Sequence, residues 1–131
     1  MFFHIDPSNG LAIYEQVVRQ VKFAVAAGVL KPAEMVPSVR EVARELALNP
    51  NTVARAYREL QAEGVLQPVR GTGLQVAAGA AEACRRQRRD LIQQRLGQVL
   101  REARQSRLDG DELRRLVEAE LKSLEREETK P

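Results

Sequence analysis

Between Pro37 and Val76 the chain sets out two helix starts, a helix stop and a paired-glycine turn in close succession, and this constrains the fold more than any other segment. Ser38 stands three residues before Glu41, the spacing of a capping box, in which hydroxyl and carboxylate each satisfy a backbone N–H left without a partner at a helix start. A helix is predicted from Val39 to about Leu46. Asn49 and Pro50 repeat the signal, because Asn is a favoured N-cap and Pro costs nothing at the first helical position. The helix that follows, from about Pro50 to Ala62, carries Val53, Ala56, Tyr57 and Leu60 as an apolar stripe and Asn51, Thr52, Arg55 and Arg58 off it. Gly64 caps its end. Val65-Leu66 then starts a strand whose partner is Leu74-Gln75-Val76, and between them lies Pro68-Val69-Arg70-Gly71-Thr72-Gly73, where the two glycines permit a tight hairpin.

Two short helices, a tight turn and a hairpin are the layout of a winged helix-turn-helix. Upstream, Ile13, Val17, Val21 and Val25 recur every four residues and predict an amphipathic first helix that stops near Gly28. Pro32 prevents its continuation and leaves residues 31–36 as a connector. From Gly79 the composition shifts to Ala, Arg, Gln, Glu and Leu, with no proline until the end, which predicts helices outside the winged core. The run of small residues around Gly79-Ala80-Ala81 reads either as a flexible joint or as the start of the first of them. The expected class is therefore α+β, mainly α, with a winged helix-turn-helix over residues 1–78 and a two-helix dimerisation tail over 79–131.

The tail carries one apolar stripe through Leu91, Ile92, Leu96, Val99, Leu100 and Ala103, a break and N-cap at Asp109 to Glu112, and a second stripe through Leu113, Leu116, Val117, Leu121 and Leu124. Two amphipathic helices with no third element to cover them would leave apolar faces in water, and burial against a second copy is the simplest remedy. The expected homodimer interface comprises Leu91, Leu96, Val99, Leu113, Leu116, Val117, Leu121 and Leu124. Packing of the tail on the chain's own winged domain is the alternative. A chain of 131 residues with 4% aromatics and no Trp has little to build a large core from, which also favours self-association.

Placement of charge suggests the partner. A net charge of +3 and a pI near 9.4 suit a polyanion without proving one. Polar side chains gathered at the start of one helix are positioned to enter a DNA major groove, and Arg70 at the hairpin tip can reach a phosphate or the minor groove. Two such heads related by a dyad match a palindromic double-stranded site.

Pro37-Ser38-Val39-Arg40-Glu41, Thr52-Val53 and Gly71-Thr72-Gly73 together resemble the GntR family of bacterial transcription regulators. Asn49-Pro50-Asn51-Thr52-Val53 with Arg55-Ala56-Tyr57 is similar to its YtrA subfamily. The resemblance covers residues 3–76 strongly and the tail more weakly. It implies a sequence-specific DNA-binding regulator, more in keeping with a repressor, whose Arg40, Asn49, Asn51 and Thr52 face DNA and whose Arg70 and Gly71 form the wing tip; control of a transporter operon is a further family-level implication. Ser38 and Thr72 join the candidate DNA-binding set as cap and wing residues, and Arg55 and Arg58 join it from helix geometry. Many family members carry Ser or Thr followed by Arg before the Thr, where Asn49-Pro50-Asn51 stands here, which shifts base choice toward Asn51, Arg55 and the wing. Ala33 replaces a glycine common before the Pro-Ser segment.

Competing readings exist for several of these residues. Arg44 with Glu41 and Arg55 with Glu59 are spaced for ion pairing on a solvated helix face. The Arg85-Arg86-Gln87-Arg88-Arg89 cluster reads as a solvated face with partners such as Asp90 rather than as a second DNA contact. Rivals for the whole protein are a winged-helix protein-interaction module and a non-specific nucleoid-binding protein. An enzyme is not expected: with one His and one Cys there is no Ser-His-Asp or Cys-His set, and no Walker-type phosphate loop occurs. His4 has no second ligand for a metal, and no cofactor is expected. The tail is too short for the pyridoxal-phosphate-binding domain fused to this head in another GntR-like group, or for a ligand-sensing domain. Any small-molecule effector is expected at the dimer interface or at a hinge near residues 76–81. Cys84 is expected to be a small buried or interfacial residue. The absence of a signal segment or long apolar run makes the cytoplasm the expected compartment, with no membrane partner.

Overall fold

The computed structural model describes residues 2–129. In chain order the elements are α1 (Ile13–Ala26), α2 (Val39–Leu46), α3 (Pro50–Ala62), β1 (Leu66–Val69), β2 (Gly73–Val76), α4 (Ala80–Gln105) and α5 (Gly110–Glu128). They form two compact units, one ending at Leu91 and the other beginning at Ile92.

In the first unit α3 packs against both α1 and α2 and leads into β1. Val17, Val21 and Val25 of α1, Val42 of α2 and Val53, Ala56 and Leu60 of α3 are almost completely buried, so the four-residue apolar spacing of α1 and the stripe of α3 close on one another. β1 and β2 pair antiparallel with Leu66 opposite Val76 and Val69 opposite Gly73. The turn between them closes with Thr72 N–H donating to the Val69 carbonyl at 2.9 Å, and Gly71 takes a φ of +75° there.

Three features extend the sequence reading. The connector before α2 is hydrogen-bonded to the wing: Ala33 N–H donates to Val76 O, Val76 N–H to Glu34 O and Val36 N–H to Leu74 O, each at 2.9–3.0 Å, with Met35 bridged to Gln75. Residues 34–36 thus lie along β2 as a third extended segment, entered through a turn at Ala33. Second, the segment before α1 is held by two glutamines one turn apart. Buried Gln16 accepts from Asp6 N–H and donates to the carbonyls of Asp6 and Leu11, while Gln20 accepts from His4 N–H and donates to His4 O. Third, α4 begins at Ala80, and Ala80 and Cys84 lie in the same core as α1 and α3. The boundary expected at 78/79 therefore differs from the grouping of contacts, which carries the first turns of α4 into the winged unit. Burial of those side chains also fixes the segment around Gly79-Ala80-Ala81 as a helix start rather than a free joint.

The second unit holds the rest of α4 and all of α5. Between them the backbone reverses through Arg107 in a left-handed conformation (φ +66°), and Asp109 caps α5 by accepting from Glu112 N–H at 2.8 Å. An apolar groove of about 550 Å³ runs between the two helices, lined by Leu96, Val99, Leu100, Leu113, Leu116 and Leu121 among others. Leu96, Val99, Leu116, Leu121 and Leu124 stay about half exposed. No helix among the described residues is long and apolar enough to cross a membrane.

Candidate nucleic-acid interface

The heads of α2 and α3 are built as the sequence predicts. Glu41 N–H donates to Ser38 Oγ at 3.1 Å and Ser38 N–H to Glu41 Oε1 at 3.3 Å, completing the capping box. Asn51 N–H donates to Asn49 Oδ1 at 2.8 Å, with Pro50 in the first turn. Each cap uses only side-chain acceptors. The Ser38 hydroxyl and the Asn49 Nδ2 keep donors that have no partner among the described residues, and both sit at helix N-termini, where the peptide dipoles favour an anion.

Between the two helices Ala47 adopts φ +53° and ψ +46°, the left-handed residue that turns the chain from α2 into α3. Tyr57, buried on α3, donates its hydroxyl to the Pro37 carbonyl at 2.7 Å. Burial, helped by the nearby negative charge of Glu41, pushes that phenol well above its ordinary pKa and keeps it a neutral donor. Helix α3 is thereby tied to the residue that precedes the α2 cap.

On the outer surface of this pair Arg40, Asn51, Arg55 and Arg58 are exposed and Thr52 is half-buried. Arg70, Gly71 and Thr72 are exposed at the wing tip, where Thr72 Oγ1 donates to the Arg70 carbonyl at 3.3 Å. Sequence reasoning missed two contributors. Arg44 lines, with Arg40, Leu48 and Pro50, a groove between α2 and the start of α3, so two arginines one turn apart border the same concavity. Their four-residue spacing was the available signal. Tyr14 of α1 is the other: the Arg55 guanidinium carbon stands 3.7 Å from the centre of its ring.

The ion pairs considered for this surface do not form. Among the described residues the recorded salt bridges are Lys22–Glu63, Arg86–Glu82 and Arg114–Asp111, and neither Arg44 with Glu41 nor Arg55 with Glu59 is among them. Glu41 turns back into the capping box, which takes it from Arg44, and the Tyr14 ring takes Arg55. The Arg86–Glu82 pair at 3.6 Å is the kind of solvated-face contact expected of the arginine cluster on α4, although its partner is Glu82 and not Asp90. Leu91 stands apart from the other expected dimer residues: it is half-buried in the first unit and lines a groove there with Tyr14, Lys22, Glu59 and Glu63.

Residues 13–76 match the pattern of the bacterial regulatory proteins, gntR family. The transcriptional repressor YtrA of Bacillus subtilis is 37% identical over 114 residues, which is 87% of this chain and 85% of that protein. This chain belongs to the GntR family. Solved structures of GntR-family regulators share its fold. A GntR family transcriptional regulator from Listeria monocytogenes superposes with a TM-score of 0.67 at 26% identity, covering 88% of this chain and 98% of that one. YtrA from Sulfolobus acidocaldarius gives 0.57 at 32% identity, covering 74% and 99%. The GntR-family chain is a DNA-binding transcription regulator with a winged helix-turn-helix head, and not an enzyme.

Proposed function

We propose that the protein represses transcription in the cytoplasm by occupying a palindromic operator as a homodimer. The observation that carries this reading is the apolar groove of the second unit, whose lining includes five large aliphatic side chains left about half exposed, in a chain whose winged unit supplies one reading head. One recognition helix reads only a few base pairs, and a second head related by a dyad doubles the sequence read. Arg40 and Arg44 at the α2 groove, with the Ser38 and Asn49 caps, supply phosphate contacts. Asn51, Thr52, Arg55 and Arg58 supply base-edge contacts, and Arg70, Gly71 and Thr72 place the wing on the backbone.

Selection from a randomised duplex pool tests the operator. The wild type is expected to enrich an inverted repeat and an Arg40→Ala/Asn51→Ala variant to enrich nothing; an unenriched wild-type pool would refute sequence-specific recognition. Sedimentation tests the assembly, with the wild type expected as a dimer and Leu116→Lys/Leu121→Lys as a monomer. A wild type that sediments as a monomer would remove the dimer from the proposal.

A further inference from the structure

Among the described residues Arg55 is recorded with one partner, and that partner is an aromatic face, not an acceptor. The distinction matters because a guanidinium has two kinds of surface. Its plane stacks on a ring, attracted by the ring quadrupole, while its N–H donors point outward in that plane. A carboxylate partner would occupy the donors; a ring leaves them open. Tyr14 is well placed to act as such a support: it sits in the first turn of α1, a helix locked into the core by Val17, Val21 and Val25, and its ring is half-buried. Arg55 lies on the outer face of α3 one turn after Asn51.

We propose that Tyr14 is a positioning residue for base recognition, holding Arg55 by its guanidinium face so that the donor edge meets a base edge already oriented. This rests on the operator reading above. An arginine free in solvent must give up rotamer freedom on binding, whereas one stacked beforehand has given up part of it in the free protein. The preferred acceptor is guanine, whose O6 and N7 match two parallel N–H donors. Tyr14 itself touches no DNA in this scheme. Its contribution appears only in sequence-specific binding and only when Arg55 is present.

The test is a double-mutant cycle read against two duplexes, the repeat recovered by selection and a scrambled duplex of the same length. Tyr14→Leu is expected to bind the repeat roughly threefold to fivefold more weakly for each reading head engaged, with binding to the scrambled duplex unchanged. Tyr14→Phe, which keeps the ring, is expected to restore the affinity. In an Arg55→Ala background, Tyr14→Leu is expected to cause no further loss. Equal losses from Tyr14→Leu with and without Arg55, or equal losses on both duplexes, would show that Tyr14 acts through fold stability and overturn the assignment; urea midpoints measured in parallel identify that outcome. A full loss in Tyr14→Phe would show that the hydroxyl acts and not the ring, which also overturns it. Failure of the wild type to enrich any repeat would instead refute the operator reading itself.

Discussion

The pair between Lys22 on α1 and Glu63 at the C-terminal end of α3 supports an asymmetric prediction. Nζ and Oε1 are 2.9 Å apart, but the side chains are 8% and 36% exposed respectively. Removing the carboxylate leaves an ammonium buried without its counter-charge, whereas removing the ammonium leaves a carboxylate that a third of its surface still hydrates. Breaking a fully buried pair costs about 3–5 kcal/mol and an exposed pair under about 1 kcal/mol. Glu63→Gln therefore falls between them, at about 2 kcal/mol, and Lys22→Met costs about 1 kcal/mol or less, because Met also keeps the aliphatic packing. Glu63 sits where the α3 dipole is negative, so its charge is unfavourable there once Lys22 is gone. The double variant is accordingly expected to be no less stable than Lys22→Met alone. Urea unfolding at one fixed protein concentration measures all four proteins, the concentration being held because the apparent stability of the proposed homodimer would depend on it. Lys22→Met destabilising as much as Glu63→Gln, or strictly additive losses, would refute the argument from differential burial.

Three further outcomes follow from local geometry. Ala33 (φ +68°) and Ala47 (φ +53°) hold left-handed conformations that cost an L-residue about 1–2 kcal/mol, of which the extra chain entropy of glycine cancels about half, so Ala33→Gly and Ala47→Gly should each raise the urea midpoint by the equivalent of about 0.5–1 kcal/mol. Tyr57→Phe strands the Pro37 carbonyl and should cost about 1–2 kcal/mol by the same measurement; no change would mean that water replaces the hydroxyl. Burial raises the Cys84 thiol above its ordinary value of 9.0, so the folded state holds that proton more tightly than the unfolded chain. The stability involved is fully present below 9.0 and is lost as pH rises through the folded value, and Cys84→Ala should flatten this alkaline slope; an identical slope in both proteins would exclude the thiol as its source.

How much of this was legible in the sequence depends on the range of the interaction. Both caps, the Pro at the head of α3, the glycine turn and the stripes of α1 and α3 are local patterns and are legible; Pro68 and Val69, expected in the hairpin connection, instead pair in β1 opposite Leu74 and Gly73. The pairing of residues 34–36 with β2 is not legible, because Lys31, Pro32 and Glu34 give no strand alternation and the partner lies some forty residues on. The left-handed turn at Ala47 was hidden for a different reason: alanine does not advertise a positive φ as glycine does. Ala33, which the family resemblance marks as a departure from glycine, occupies just such a backbone at φ +68°. At the interface the exposed positions of Arg40, Asn51, Arg55 and Arg58 followed from helical phase alone. The Tyr14 contact did not, since it joins two helices whose relative rotation no single-helix pattern contains, and the same holds for the Lys22–Glu63 pair.

The third extended segment along β2 has a mechanical meaning. Residues 34–36 are fastened to the wing on one side and run directly into Pro37 and the Ser38 cap on the other, while Tyr57 ties Pro37 to α3. The base of the wing, the α2 head and the α3 head are therefore tied together like the parts of a caliper held at one opening. A caliper cannot adjust to what it measures. A duplex whose groove width differs from that opening must itself deform to be gripped, and it pays elastic energy that depends on bases the protein never touches.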